Sequence, residues 1–152
     1  MGNEQLRVIK LEPMRMASAW AFGPQPEPLA WQQLQSWAQA RGIPLEDGQI
    51  FGFNNPNPSP GSPNYGYEFW LAVGPAVEPT ADDDVRIVNF AGGLYAMIEV
   101  DVAGDLNESI PAAWRTLDAQ VAASAYHTGA HQWLEQHTGE GMPYAFYYPI
   151  VE

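Results

Sequence analysis

One stretch of this chain is repeated in another. Laid over one another at an offset of 83, residues 27–40 and 110–123 match at Pro28/Pro111, Ala30/Ala113, Trp31/Trp114, Leu34/Leu117 and Ala40/Ala123. Each segment opens with proline in its first turn, where the missing N–H costs nothing. The spacing predicts a helix over 28–41, with Trp31, Leu34 and Trp37 or Ala38 on one face and Gly42 as its stop. A second helix is predicted over 110–123, with Ile110, Ala113, Trp114, Leu117 and Val121 as a buried stripe. The flanks repeat too. Strand-like residues 6–11 and 17–22 precede the first helix as 85–90 and 94–102 precede the second. Residues 49–53 and 65–73 follow the first as 130–137 and 143–151 follow the second. The expected fold is therefore α+β: duplicated strand-helix-strand-strand units with pseudo-twofold symmetry, an antiparallel sheet and two main helices. A single domain over 1–152 is expected, with internal halves at about 1–75 and 84–152.

Composition narrows the function. Of 152 residues, 46% are hydrophobic, and six Lys or Arg face eighteen Asp or Glu for a net charge of −12. So few scattered cations cannot neutralise a run of phosphates, which argues against nucleic acid and against anionic membranes. Without cysteine there is no disulfide, thiolate metal site or thiol nucleophile. Charges at Glu4, Arg7, Lys10 and Glu12 interrupt any apolar run at the N-terminus, so a cytoplasmic location is expected. Asn107-Glu108-Ser109 fits a glycosylation sequon and is read as a chance match.

Two loops stand out. Residues 54–64 carry four prolines in an irregular but ordered connection, and Asp82-Asp83-Asp84 reads as a solvated, edge-guarding run without the spacing of a calcium loop. Phosphate-binding glycine loops, nucleophile elbows and dinucleotide fingerprints are absent from the sequence. His127, His131 and Glu135, four apart, could share a helical face, but no third strong ligand accompanies them. Neither metal nor cofactor is expected.

Six Trp, seven Tyr and six Phe exceed what packing a domain of this size requires. Aromatic faces around a carboxylate suit a lipophilic cation. Glu68 is the candidate, placed mid-strand between Tyr67 and Phe69 with Trp70 on its own face. The alternatives are a Glu68 that faces water or pairs with Arg86 or Arg115. Glu99, on the strand face of Tyr95 and Met97, is a weaker second candidate and more naturally solvent-facing.

The chain resembles the GyrI-like effector-binding domain, the ligand module of AraC- and MerR-type multidrug-responsive regulators that also occurs as a stand-alone protein. The resemblance rests on the opening run from Val8 to Ala17, Trp31-x-x-Leu34-x-x-Trp37, and the proline loop leading into Tyr65-Gly66-Tyr67-Glu68-Phe69-Trp70. It continues through Ala91-Gly92-Gly93-Leu94-Tyr95-Ala96, Ile110-Pro111-Ala112-Ala113-Trp114-x-x-Leu117 and His131-Gln132-Trp133-Leu134-Glu135. It implies a pocket between the two halves for bulky, often cationic molecules, lined by Glu68, Trp70, Tyr95 and Trp114, with Phe146 and Tyr148 from the last strand. Many relatives carry a glutamate in that strand just before a tyrosine. Here Phe146 stands in that position, which leaves the charge to Glu68.

The resemblance implies a stand-alone binder of lipophilic cations, acting alone, as a homodimer or beside a separate regulator chain; no helix-turn-helix is accounted for. Two other classes follow from it. One is a hydrolase of small electrophiles using Glu68, and the other is an interaction module presenting an acidic face such as Asp82, Asp83 and Asp84.

Overall fold

The computed structural model describes residues 6–46, 48–78, 85–101 and 103–152. In order, the elements are β1 (Val8–Leu11), β2 (Met14–Gly23), α1 (Pro26–Ala40), β3 (Ile50–Asn54), β4 (Tyr65–Ala72), β5 (Val85–Phe90) and β6 (Gly93–Glu99). There follow α2 (Leu106–Ala122), β7 (His127–Thr128), β8 (Leu134–His137) and β9 (Pro143–Val151). The run Asp82, Asp83 and Asp84 lies outside the described residues.

Helix α1 starts with Pro26 and Pro28 in its first turn and ends at Ala40, just before Gly42 takes a left-handed φ of +68°. Helix α2 begins a full turn before the predicted start. Asp105 caps it by accepting from the backbone N–H of Asn107 at 3.0 Å, which carries Pro111 inside the helix. The predicted strand over 130–137 is confined to Leu134–His137, so His127, His131 and Glu135 never share a helical face. No trio of potential ligands among the described residues is placed to hold a metal. No described helix is long and apolar enough to cross a membrane.

The strands run antiparallel in the order β1-β6-β9-β8-β3-β4-β2-β5, with β7 added against β9. This order reads the same from both ends once β2 is matched with β6, β3 with β8 and β4 with β9. The pseudo-twofold axis falls between β3 and β8, on the rung where Gly52 faces Glu135. Gly52 also opposes Phe69, as Glu135 opposes Phe146. The leading strand of each half is exchanged: β1 pairs with β6 and β5 with β2. Two-residue links, 12–13 and 91–92, make these crossings and lie against each other. Gly92, at φ +80°, has no room for a Cβ beside the Leu11 carbonyl and the Glu12–Pro13 backbone.

Both helices cover one face of the sheet. Ala17, Ala19 and Ala21 make a shallow floor on β2, against which Ala30, Leu34, Trp37 and Ala38 of α1 pack. Ala113, Leu117 and Val121 of α2 pack against Ala96, Phe146 and Ile150. The opposite face encloses a third core drawn from both halves, including Met16, Phe51, Phe90, Tyr95, Leu134 and Tyr147. Buried on both faces, β4 reads as an almost unbroken run of large side chains.

Candidate functional site

Above the axial rung, beside α2, opens a cleft of about 350 Å³ lined by Gly52, Asn54, Asn57, Trp114, Trp133 and Glu135 among others. Its aromatic wall, Trp114 and Trp133, is backed by Phe146 and Tyr148 through tilted and edge-on contacts. Trp114 lies 5.3 Å from Phe146 and 5.6 Å from Trp133, and Trp133 lies 4.5 Å from Tyr148. Such geometries are favoured by the ring quadrupoles. Trp133 remains 41% exposed, leaving part of its side chain uncovered. The other half repeats the motif, with Trp31 edge-on to Phe69 at 5.1 Å.

The acid of the cleft is Glu135. Its Oε1 lies 2.6 Å from the Tyr67 hydroxyl oxygen, and that oxygen is 3.0 Å from His137 Nε2. Gly52 makes room for this meeting, because a Cβ there would sit 2.5 Å from the Tyr67 oxygen and 2.9 Å from His137 Nε2. Burial raises the pKa of Glu135 from its ordinary 4.5, and the nearby Glu27 adds to the rise while hydrogen bonds from Tyr67 and Trp114 oppose it. Burial also raises Tyr67 well above 10, reinforced by Glu135. It lowers His137 to about 4, against a partial offset from the Gly141 backbone. Tyr65, on the same strand face as Tyr67, donates towards both oxygens of Glu27 at 2.7 and 2.9 Å and is pushed up to about 12, chiefly by burial. No lysine or arginine is among the influences on Glu135.

The six residues expected at the site divide between the two faces of the sheet. Trp114, Phe146 and Tyr148 lie together on the helix side, with Tyr148 donating to Asp118 Oδ1 at 2.8 Å. Glu68, Trp70 and Tyr95 lie on the opposite side. Glu68 is 4% exposed and accepts from Ser18 Oγ at 2.5 Å, Trp70 Nε1 at 2.7 Å and Asn55 Nδ2 at 3.2 Å. It neither faces water nor pairs with Arg86 or Arg115, both exposed. Tyr95 donates to the Gln132 carbonyl at 2.5 Å, anchoring the segment before β8. Glu99 pairs with Arg7 at 3.0 Å in the open.

Sequence reasoning weighed Glu135 only as a metal ligand beside His127 and His131, and did not single out Tyr67, His137 or Trp133 as site candidates. The available signal was the alternation Trp133-x-Glu135-x-His137, a strand pattern that places all three on one face. Phe146, where the resemblance leads one to expect an acid, pairs directly across the ladder with Glu135.

Fold and cleft together define a duplicated α+β ligand-binding domain. The chain belongs to the GyrI-like family: the model of the GyrI-like small molecule binding domain matches residues 4–138. A search of curated protein sequences finds no match. Among solved structures, the crystal structure of the EcmrR C-terminal domain has a TM-score of 0.67 at 10% identity, with 97% of this chain and 98% of that one covered. In the EcmrR–DNA complex the TM-score is 0.70 at 10% identity; 97% of this chain aligns there, and it spans 57% of that longer chain. SAV2435 bound to tetraphenylphosphonium has a TM-score of 0.54 at 12% identity, with 97% and 94% covered. A hydrolase encoded by lin2189 from Listeria innocua has a TM-score of 0.63 at 13% identity, with 97% and 92% covered.

Proposed function

We propose that this protein binds a bulky lipophilic cation in the cleft beside α2, with Glu135 as counter-charge and Trp114 and Trp133 as the aromatic wall, backed by the buried rings of Phe146 and Tyr148. The observation that carries this reading is a carboxyl without a basic partner on the floor of an aromatic cleft. A buried negative charge is costly alone, and a ligand cation supplies what the protein withholds. Glu68 is not needed for this role, since three donors from its own face already satisfy it. The tetraphenylphosphonium bound to SAV2435 is a ligand of that chemistry, and it serves here as the probe.

Titration of tryptophan fluorescence with tetraphenylphosphonium should quench at micromolar concentration. The matched anion tetraphenylborate should not. Equal quenching by both would reduce the cleft to nonspecific apolar adsorption.

A second reading is hydrolysis of a small electrophile. Glu135 and Tyr67, 2.6 Å apart, form a base and proton-donor pair. Product formation from strained or activated electrophiles, lost in Glu135→Gln, would favour it over binding alone.

A further inference from the structure

The hydrogens around Tyr67 can be counted. Its hydroxyl carries one proton and has two acceptors in reach, Glu135 Oε1 at 2.6 Å and His137 Nε2 at 3.0 Å. His137 Nδ1 lies 3.1 Å from the Gly141 carbonyl, which can only accept, so the ring proton belongs on Nδ1 and Nε2 presents a lone pair. If Glu135 is ionised and His137 is neutral, Tyr67 must serve the carboxylate, and the buried His137 Nε2 is left without a hydrogen-bond partner. If Glu135 carries a proton, every group is satisfied: Glu135 donates to the Tyr67 oxygen, Tyr67 to His137 Nε2, and His137 Nδ1 to Gly141.

We propose that His137 is a positioning residue which, through Tyr67, keeps Glu135 in its acid form while the cleft is empty, so that the cleft takes up a cation in exchange for one proton. This rests on the cation-binding reading and adds its regulation. On binding, the O–H bond of Glu135 breaks and the proton leaves to solvent. Tyr67 then turns its own proton to the new carboxylate, and His137 Nε2 is released.

The groups facing Glu135 agree with this account. Glu27 from α1 repels a second negative charge, and Tyr65 and Tyr67 from β4 are phenols held neutral. Trp114 from α2 donates to Glu135 and so favours the charged state that the cation completes. His137, held to about 4, offers no positive charge at neutral pH. Each influence is local to the cleft, so proton and cation compete for one carboxyl.

Two measurements test the proposal independently. In the ligand-free protein at pH 6, infrared difference spectra of wild type against Glu135→Gln should show the carbonyl stretch of one carboxylic acid. His137→Phe should replace it with carboxylate bands, and His137→Gln, which retains an acceptor, should restore it. Carboxylate bands in ligand-free wild type would overturn the proposal.

In calorimetry with tetraphenylphosphonium at pH 6, in buffers of different ionisation enthalpy, wild type should release about one proton per cation bound and His137→Phe almost none. Its affinity should rise about tenfold per pH unit until Glu135 ionises by itself. Binding without proton release would overturn the exchange. An acid band with no cation binding would instead remove the functional reading, and the exchange with it. Should His137→Phe fail to fold, nitrogen NMR of wild-type His137 reads the same event: Nε2 should lose its hydrogen bond when the cation binds, and an unchanged Nε2 would count against the relay.

Discussion

Glu68 and Glu135 are glutamates in neighbouring parts of one sheet, each beside a tryptophan and a tyrosine, yet their surroundings ask opposite things of them. Glu68, turned away from the helices, is enclosed by three neutral donors that use both of its oxygens. Glu135, turned towards the helices, meets a phenol whose single proton is also in reach of His137. The first joins β2, β4 and the start of the proline loop at Asn55, and the second opens on a cleft. An aromatic setting and partial or full burial do not separate the two acids; the count of donors against acceptors does.

The contrast is broken most forcefully at Glu68. Glu68→Ala strands the buried donors of Ser18 and Trp70 and should cost about 3–5 kcal/mol in urea denaturation. Tetraphenylphosphonium affinity of the folded fraction should be preserved, and a large loss of affinity with stability intact would return Glu68 to the site.

The Glu135 side should show itself next in pH dependence. His137 falls from its ordinary 6.5 to about 4 on folding. The unfolded chain therefore binds the extra proton, and roughly 3 kcal/mol of stability should be lost as pH drops from 6.5 through 4. His137→Gln should flatten that limb. Glu135 works in the opposite sense: its raised pKa makes stability greatest below 4.5 and erodes it as pH rises through the raised value. Glu135→Gln should remove this erosion, and melting curves across pH separate the two limbs.

Glu135→Gln also sharpens the contrast at fixed pH. The amide can donate to the Tyr67 oxygen as the acid does, so stability should hold within about 1 kcal/mol while cation affinity falls by at least about tenfold. A collapse in stability comparable to that of Glu68→Ala would erase the distinction between the two acids. The smallest effect is expected at Trp133→Ala, about 0.5–1 kcal/mol of cation affinity from a partly exposed ring, read in the same titration.

Much of the fold was legible because duplication and helical periodicity are local patterns. The repeated Pro-x-Ala-Trp-x-x-Leu motif located both helices, with the Asp105 cap missed because it lies a turn before the repeat begins. Of the candidate site, Trp114, Phe146 and Tyr148 fall on the helix face that carries the proposed cleft, whereas Glu68 drew attention through its sequence neighbours Tyr67 and Trp70. Adjacent residues in a strand point to opposite sides, so Tyr67 faces Glu135 and Glu68 does not. Finding Glu135 required the register of β8 against β3 and β9, which long-range pairing fixes and no local window contains.

The exchange of β1 and β5 makes the two halves inseparable in a topological sense. Neither half can complete its own sheet from its own residues, because the outermost strand of each is supplied by the other across the contact at Gly92. The molecule is thus wired as a swapped dimer written on one polypeptide. The axis that such wiring creates is where the cleft lies, and on it the repeat has diverged into glycine on one strand and glutamate on the other. A symmetric ancestor would carry two acids or none at that rung; a single charge there needs a chain whose halves are free to differ.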